Sequence, residues 1–286
     1  MPKKTGSTFR VAFMNLVQGF IFYYKKDRWA GVSFFVKARL YQRIIQKIQY
    51  ANWHYFLSPF RVLTKQFEQT IPLIDDNFEK YGNYFLDKRF PLNHESIVYS
   101  LGVLSNTSFD QAVANKHECP IYLYDPSIIA TRHINRINHP KFKFEQIGIW
   151  DKDEDMLFYT PVYGGSPSMI FEYAGRQFTA HCKKLASVMK ANQHTSMDVL
   201  KMDIEGAAPR ILNHMLDIGV YPDQVLVEFE RPTTSSIIDF LDFFEELRKL
   251  INRFEDAGYQ TYRMPRDKGK YYSIEINFSK AHRKKK

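Results

Sequence analysis

The sequence predicts an α/β protein with a mostly parallel sheet, helices on both faces, and a helical N-terminal extension. Two observations lead to this fold class. From about residue 96 onwards, short apolar segments alternate with segments of helical periodicity, which is typical of parallel sheets covered by helices. The chain has 286 residues, of which 44% are hydrophobic, so it can bury one large core and a smaller appendage.

The distribution of charge divides the chain into three parts. Residues 1–65 contain twelve Lys or Arg, one acid and fifteen aromatic residues, whereas residues 66–279 contain 23 Lys or Arg and 30 acids. The C-terminal residues 280–286 add five Lys or Arg. We therefore predict a basic helical extension over 1–77, a main domain over 78–279 and a basic tail over 280–286.

The extension predicts helices and contact with a membrane surface. Apolar spacing indicates one helix over 37–56 and, after the break at Ser58-Pro59, another over 62–82. The longest apolar run, 11–24, is shorter than the roughly 20 residues of a membrane-spanning helix. Basic and aromatic residues with almost no acids suit a helix lying on an anionic membrane. Packing of these helices against the main domain is the alternative.

The main domain is predicted as an ordered series of strands and helices. The predicted strands cover 96–102, 120–126, 142–150, 197–205 and 223–230. The predicted helices cover 108–117, 182–192, 209–216 and 237–258. A terminal hairpin is predicted from 259–264 and 271–278, which adds an antiparallel strand to the sheet.

Acidic residues follow the predicted strands where each strand ends. The carboxyl ends of parallel strands share one edge, where ligands bind in doubly wound sheets. The residues at these ends are Gly102, Asp125, Asp203, Glu205, Glu228 and Glu230. The sequence therefore predicts a binding site at this edge whose side chains are chiefly carboxylates.

The segment after the first strand argues against a phosphate-rich ligand. Its sequence, SLGVLSNTSFD, has neither the GxxxxGK[ST] spacing of a triphosphate-binding loop nor the GxGxxG spacing of dinucleotide-binding proteins. Asp125, at the end of the second strand, can accept hydrogen bonds from two ribose hydroxyls. These features favour a nucleoside without phosphates.

Five segments stand out together: IVYSLGVLSNTSFDQAV, YLYDP, IGIW, DVLKMDIEGAAPRIL and DQVLVEFE. In order and spacing they resemble the FkbM-like family of S-adenosylmethionine-dependent methyltransferases. The resemblance implies a Rossmann-like class I methyltransferase fold with a seven-stranded sheet. It also implies S-adenosylmethionine as cofactor and methylation of a hydroxyl on a sugar, glycan or related small molecule.

The resemblance further implies which residues contact the cofactor. The loop after the first strand would wrap its methionine part, Asp125 would hold its ribose, and residues 148–151 would border its adenine. The cofactor-binding residues implied in this way are Ser100, Gly102, Val103, Asn106, Ser108, Asp125, Ile149, Trp150 and Asp203.

Methyl transfer to an alcohol needs an aligned acceptor and a base within hydrogen-bond reach. We predict Asp203 as that base and Glu205, Glu228 and Glu230 as groups that bind substrate hydroxyls. Because no His or Cys accompanies these acids at ligand spacing, any metal bound there would be a hard cation such as Mg²⁺. A site without metal is the simpler prediction.

Two other functions stay open. A nucleic-acid methyltransferase would use the basic ends of the chain, although the acidic main domain opposes nucleic-acid binding there. A non-catalytic scaffold on a degraded methyltransferase fold is favoured by Leu104, which stands where the family usually has a second glycine.

Cysteine content indicates the compartment. The only cysteines, Cys119 and Cys182, have no ligand-like spacing, so the sequence predicts a reducing compartment without disulfides. We therefore expect a cytoplasmic protein, with peripheral membrane association through residues 1–65.

Overall fold

The computed structural model describes residues 59–162, 165–230, 237–265 and 273–281. The basic extension up to residue 58 and most of the basic tail lie outside these residues, and so do the predicted helix over 37–56 and the predicted membrane contact. No helix of the described part of the chain is long and apolar enough to cross a membrane.

Twelve strands are described. Along the chain they are β1 (Phe78–Tyr81), β2 (Tyr84–Asp87), β3 (Val98–Leu101), β4 (Ile121–Tyr124), β5 (Phe142–Glu145), β6 (Gly148–Trp150), β7 (Glu154–Tyr159), β8 (Gln177–Lys184), β9 (Val199–Met202), β10 (Gln224–Glu230), β11 (Tyr259–Arg263) and β12 (Ser273–Lys280).

The central sheet has seven strands in the order β11-β12-β10-β9-β3-β4-β5. Strand β12 is antiparallel to both of its neighbours, and the other neighbouring pairs are parallel. This arrangement confirms the predicted Rossmann-like methyltransferase fold, including its terminal hairpin. Two smaller sheets accompany it, the hairpin β1-β2 and the sheet β6-β8-β7.

Helices cover both faces of the central sheet. They are α1 (Pro59–Gln69), α2 (Ser108–His117), α3 (Ile128–Ile137), α4 (Leu185–Ala191), α5 (Ala208–Asp217) and α6 (Ile237–Asp256). Buried side chains of α2 and α3 share one hydrophobic cluster, and those of α4, α5 and α6 share another. Helix α1 joins the second cluster, where the rings of Phe67 and Phe244 lie 5.1 Å apart.

Burial explains why the long apolar segments were predictable. Every residue of β9 is buried, as expected for a central parallel strand with helices on both faces. On α6 the buried side chains recur at helical spacing, at Phe244, Leu247, Ile251 and Phe254.

The predicted helix over 62–82 is wrong beyond Gln69. Helix α1 ends there, and residues 78–87 form the hairpin β1-β2 around Gly82 and Asn83. Gly82 has φ +57°, and a Cβ at this position would lie 2.5 Å from the backbone of Phe109. The glycine-containing two-residue turn, a common hairpin signal, was missed.

The predicted strand over 142–150 is two strands in different sheets. The chain leaves the central sheet after β5 and enters the small sheet at β6. Strands β7 and β8 of that sheet were not predicted, because their side chains are mostly half-buried or exposed. The helix predicted over 182–192 begins only at Leu185, since β8 continues to Lys184.

A buried glutamine joins the β1-β2 hairpin to the central sheet. Gln224, at the start of β10, is fully buried. Its Oε1 accepts a hydrogen bond from the Asp87 N–H at 2.7 Å, and its Nε2 donates to the carbonyl oxygens of Asp87 at 3.2 Å and Phe90 at 3.4 Å. One side chain therefore satisfies three backbone groups of the segment that follows β2.

We expect Gln224→Met to lower the free energy of unfolding by about 1–3 kcal/mol, because it leaves the buried N–H of Asp87 unpaired. Urea denaturation measures the change. The matched control is Gln66→Met at an exposed position of α1, which should change stability far less. Equal effects of the two substitutions would contradict the role of Gln224.

Candidate functional site

The candidate site lies at the carboxyl ends of the parallel strands. From β3 the chain builds outwards through β4 and β5, and it then returns to the other side of β3 with β9 and β10. Ligands bind at such a switch point in doubly wound sheets. Gly102 follows β3 with φ +78°, and a Cβ there would lie 1.7 Å from the carbonyl oxygen of Asp203. The ends of β3 and β9 approach this closely only because residue 102 is glycine.

A pocket opens at this switch point, with about 880 Å³ of space including its mouth. Its walls are the loops that follow β3, β4 and β9, the start of β6, Tyr84 of β2 and part of the segment 166–169. The predicted residues that line it are Gly102, Val103, Asn106, Asp125, Ile149, Asp203 and Glu205. Four polar residues of the wall, Asn106, Asp125, Asp203 and Glu205, were therefore predicted from the sequence.

Asp125 fastens the loop after β3. Its Oδ2 accepts hydrogen bonds from the backbone N–H groups of Val103 and Leu104, both at 2.9 Å, and its Oδ1 accepts one from the Ser127 N–H at 2.8 Å. Leu104 has φ +43°, a left-handed conformation that is unusual for a side chain of this kind. The loop therefore turns at Leu104 in a conformation that glycine usually adopts.

A buried lysine stands beneath this loop. The Lys201 side chain, on β9, is 4% exposed. Its Nζ donates to the Gly102 carbonyl oxygen at 2.6 Å and lies 3.9 Å from Asp203 Oδ2. Burial raises the pKa of Asp110, and the Lys201 charge opposes that rise. The sequence interpretation missed Lys201, although a charged residue inside the apolar run VLKM was a signal.

Three carboxylates meet at the mouth of the pocket. Oxygens of Asp203, Glu205 and Glu230 lie within 4.8 Å of one another. Glu230 is held by backbone groups, because its two oxygens accept hydrogen bonds from the N–H groups of Glu205 at 3.1 Å and Gly206 at 2.8 Å. On the opposite side, the Tyr84 hydroxyl lies 3.5 Å from Asp203 Oδ2.

Glu205 and Glu230 of this cluster bind protons more tightly than ordinary carboxyl groups. Burial, with smaller contributions from Asp203 and Glu228, raises the pKa of Glu205 to about 7, against an opposing hydrogen bond with Ser166. Burial and the charges of Asp203 and Glu205 raise the pKa of Glu230 well above its usual range. Because like charges this close do not ionise independently, the titrations of Glu205 and Glu230 are coupled.

The segment 166–173 covers the carboxylates. The Ser168 hydroxyl donates to the Glu205 carbonyl oxygen at 2.7 Å and accepts from the Phe171 N–H at 2.8 Å. The Phe171 ring lies over Gly206, where a Cβ would come within 2.6 Å of it. Burial raises the pKa of Tyr173, and so do the charges of Glu205 and Glu230. This segment therefore lies against the backbone of Glu205 and Gly206 at the edge of the pocket.

Several predicted residues do not line the pocket. Ser100 is fully buried within β3, and the Ser108 hydroxyl donates to Asn83 Oδ1 at 3.1 Å. Trp150 is buried in the core, with the Arg210 guanidinium 4.5 Å from its ring centroid.

The remaining two predicted acids lie on β10. Glu228 is buried within the strand and is paired in register with Glu275 of β12. Glu230 belongs to the site because its carboxylate accepts hydrogen bonds from the N–H groups of Glu205 and Gly206. The side chains at the site that sequence reasoning missed are Tyr84, Lys201, Ser166 and Tyr173.

The carboxylate cluster is also the one group of described residues with the spacing of a metal site. Both oxygens of Glu230 already accept backbone hydrogen bonds, and the raised pKa of Glu205 reflects burial among carboxylates. Backbone N–H groups therefore account for the position of Glu230.

Comparison with known proteins gives partial likenesses of fold. No protein-family model and no curated protein matches the sequence. Among solved structures, the chain is similar to the methyltransferase FkbM from Methylobacillus flagellatus KT, with 8% identity, a TM-score of 0.43 and coverage of 74% of this chain. It spans half the length of that protein.

Two further structures show a similar level of likeness. The precorrin-6y C5,15-methyltransferase from Geobacter metallireducens has 8% identity and a TM-score of 0.38, over 68% of this chain and 85% of that one. Fibrillarin from Aeropyrum pernix, solved with bound S-adenosyl-L-methionine, has 12% identity and a TM-score of 0.38, over 65% of this chain and 67% of that one. At these values the likenesses imply no particular activity. The FkbM-like resemblance therefore has a structural counterpart and no sequence match.

We expect Glu205→Gln to stabilise the protein at pH 8 by about 1–3 kcal/mol, because one pKa unit corresponds to about 1.4 kcal/mol. A carboxyl group whose pKa is raised on folding stabilises the folded state while protonated. That stability is lost as the pH rises from the ordinary value of 4.5 through about 7. The advantage of the variant should therefore shrink as the pH falls from 8 to 5.

Urea denaturation at several pH values measures this difference. Glu154→Gln, at an exposed position on β7, is the matched control and should show no such dependence. A pH-independent difference for Glu205→Gln would contradict the raised pKa.

We expect Lys201→Met to lower the free energy of unfolding by roughly 3 kcal/mol, because it leaves the Gly102 carbonyl oxygen and the buried Asp110 without their cation. The double variant Lys201→Met/Asp110→Asn should recover part of this loss. Lys190→Met, at an exposed position of α4, is the control. Simple additivity of the two single losses, measured by urea denaturation, would contradict the coupling.

Proposed function

We propose that this protein is an S-adenosylmethionine-dependent O-methyltransferase acting on a hydroxyl of a sugar, glycan or related small molecule. One observation carries the proposal: Asp203, Glu205 and Glu230 meet beside the switch-point pocket, and the pKa of Glu205 is raised to about 7. A carboxylate with this pKa is partly deprotonated at neutral pH and suits proton transfer from an alcohol.

The residues of the pocket fit a cationic nucleoside. Asp203 and Glu205 provide negative charge, and Ile149, Phe158 and Met169 provide apolar surface for a flat base. Oδ1 of Asp125 accepts a single hydrogen bond among the described residues, so it retains capacity for a ribose hydroxyl. When bound, S-adenosylmethionine supplies a methyl group on a positively charged sulfur.

We assign the proton acceptor to Glu205, in place of the Asp203 favoured by the sequence. Burial raises the pKa of Glu205 to about 7, and Glu230 fixes the backbone of Glu205 through the two N–H groups described above. Asp203, beside the Tyr84 hydroxyl, would accept a hydrogen bond from the acceptor and orient it. Glu228 is left without a role at the substrate.

The acceptor class follows from the same surface. Carboxylates accept hydrogen bonds from neighbouring hydroxyls, and the rings of Phe171 and Tyr173 lie in the segment that covers the carboxylates, with centroids 6.2 Å apart. Carboxylates combined with aromatic rings suit a polyhydroxylated ring with one apolar face. A sugar has this character.

One observation favours the non-catalytic alternative. Asp125, the predicted ribose ligand, already accepts backbone hydrogen bonds from Val103, Leu104 and Ser127. If these bonds fix the loop in a closed form, the pocket would not admit a nucleoside. Cofactor binding therefore separates the two functions.

We expect isothermal titration to show micromolar binding of S-adenosylmethionine and S-adenosylhomocysteine. Adenosine triphosphate is the control ligand and should bind far more weakly, because the loop after β3 has no triphosphate-binding spacing. A folded sample that binds neither sulfur compound would support the scaffold function.

We expect Glu205→Gln to lower turnover by roughly 10²–10⁴-fold, the usual contribution of a general base, while cofactor affinity stays near that of the wild type. Release of S-adenosylhomocysteine is measured with a panel of sugars, glycosides and, as the competing class, RNA. Glu154→Gln is the control. Near-normal turnover of Glu205→Gln would exclude it as the base, and activity with RNA alone would favour nucleic-acid methylation.

A further inference from the structure

A second concave surface, the basic groove, adjoins the pocket. It lies between the first two turns of α3 and residues 175–181, a range that includes the start of β8. Residues 160–162 also line it. The groove and the pocket share Pro126 and Pro167 in their walls. A molecule that occupies one therefore reaches the border of the other.

The two surfaces have opposite charge. The groove is lined by Arg132, Arg176 and His181 and by no carboxylate. The pocket is lined by four carboxylates, with Lys201 as its only cationic side chain. The change of sign occurs at the shared border, so a ligand that spans both surfaces needs an anionic group on the groove side.

The arginines of the groove are available to a ligand. Arg132 and Arg176 are both exposed, and no ion pair joins either of them to another residue of the described segments. His181 differs, because its Nδ1 lies 2.9 Å from Asp155 Oδ1. Guanidinium groups bind phosphate oxygens through two parallel hydrogen bonds.

Apolar surface lies beside these charges. Ile128 is 52% exposed and Ile129 is 43% exposed, and both line the groove. They precede Arg132 by four and three residues, the spacing that places side chains together on a helix. The groove therefore offers an apolar strip next to a cationic group.

We propose that the basic groove binds a phosphate ester of the methyl acceptor, and that an apolar part of the acceptor lies on Ile128 and Ile129. This inference rests on the proposed function, since it places the acceptor hydroxyl at Glu205 and the phosphate at Arg132 and Arg176. The acceptor class becomes a phosphorylated, partly apolar hydroxyl compound. We choose this class of ligand because its negative charge complements the positive charge of the groove.

The test uses three probes that separate the charge from the apolar chain. Octyl phosphate carries both, octyl glucoside carries the chain with a neutral head, and inorganic phosphate carries the charge alone. Isothermal titration of the full chain, below the micelle concentrations, gives the three affinities. Octyl phosphate should bind on the order of tenfold more tightly than either other probe, as expected for charge-assisted hydrogen bonds combined with apolar contact.

Matched double variants locate the binding. Arg132→Gln/Arg176→Gln should weaken octyl phosphate binding on the order of tenfold or more. Arg136→Gln/Lys190→Gln removes the same charge from exposed positions outside the groove and should leave the affinity within about threefold. Equal losses in both variants would assign the effect to net charge and overturn the proposal.

Two further outcomes also overturn it: octyl phosphate binding no better than octyl glucoside, or a single-stranded RNA oligonucleotide binding in preference to all three probes through the same arginines. Titration of each variant with S-adenosylmethionine separates the two proposals. Cofactor binding without preference for octyl phosphate overturns the groove alone, whereas groove binding without cofactor binding overturns the methyltransferase.

Discussion

The positions of the groups in the pocket depend on how closely the ends of β3 and β9 approach each other. The backbone of Gly102 lies against the Asp203 carbonyl group, with no room for a Cβ, and the Lys201 ammonium group binds the Gly102 carbonyl oxygen from below. A glycine and a buried cation therefore join two strands that are distant in sequence. The loop after β3 and the acids after β9 face one cavity as a result.

Burial of charge is the second constraint. Lys201 lies close to Asp203, and its charge opposes the rise in the pKa of Asp110 that burial causes. Nearer the surface, burial and the charges of neighbouring carboxylates raise the pKa values of Glu205 and Glu230. The same sheet edge thus contains carboxylates that differ in their affinity for protons, which is a common basis of acid–base chemistry.

The predicted and unpredicted elements differ in where their side chains lie. Strands of the central sheet are buried on both faces, so β9 and β10 left continuous apolar runs in the sequence. The hairpin β1-β2 and the strands β7 and β8 have mixed burial, and their patterns resemble those of helices or turns. The helix predicted over 62–82 failed because helical periodicity was extended past Gln69 and across Pro72.

The sequence by itself determined the order of the central strands and of the helices between them, the acids at the strand ends and the separation of basic termini from an acidic domain. These properties depend on local apolar patterns and composition. Tertiary structure decided which acids lie together, that Asp125 binds backbone N–H groups and that Lys201 bridges two strands, because burial and distance between remote residues set these interactions. The contrast between the acidic pocket and the basic groove also arises only from packing, which brings residues of α3 and β8 to the same groove.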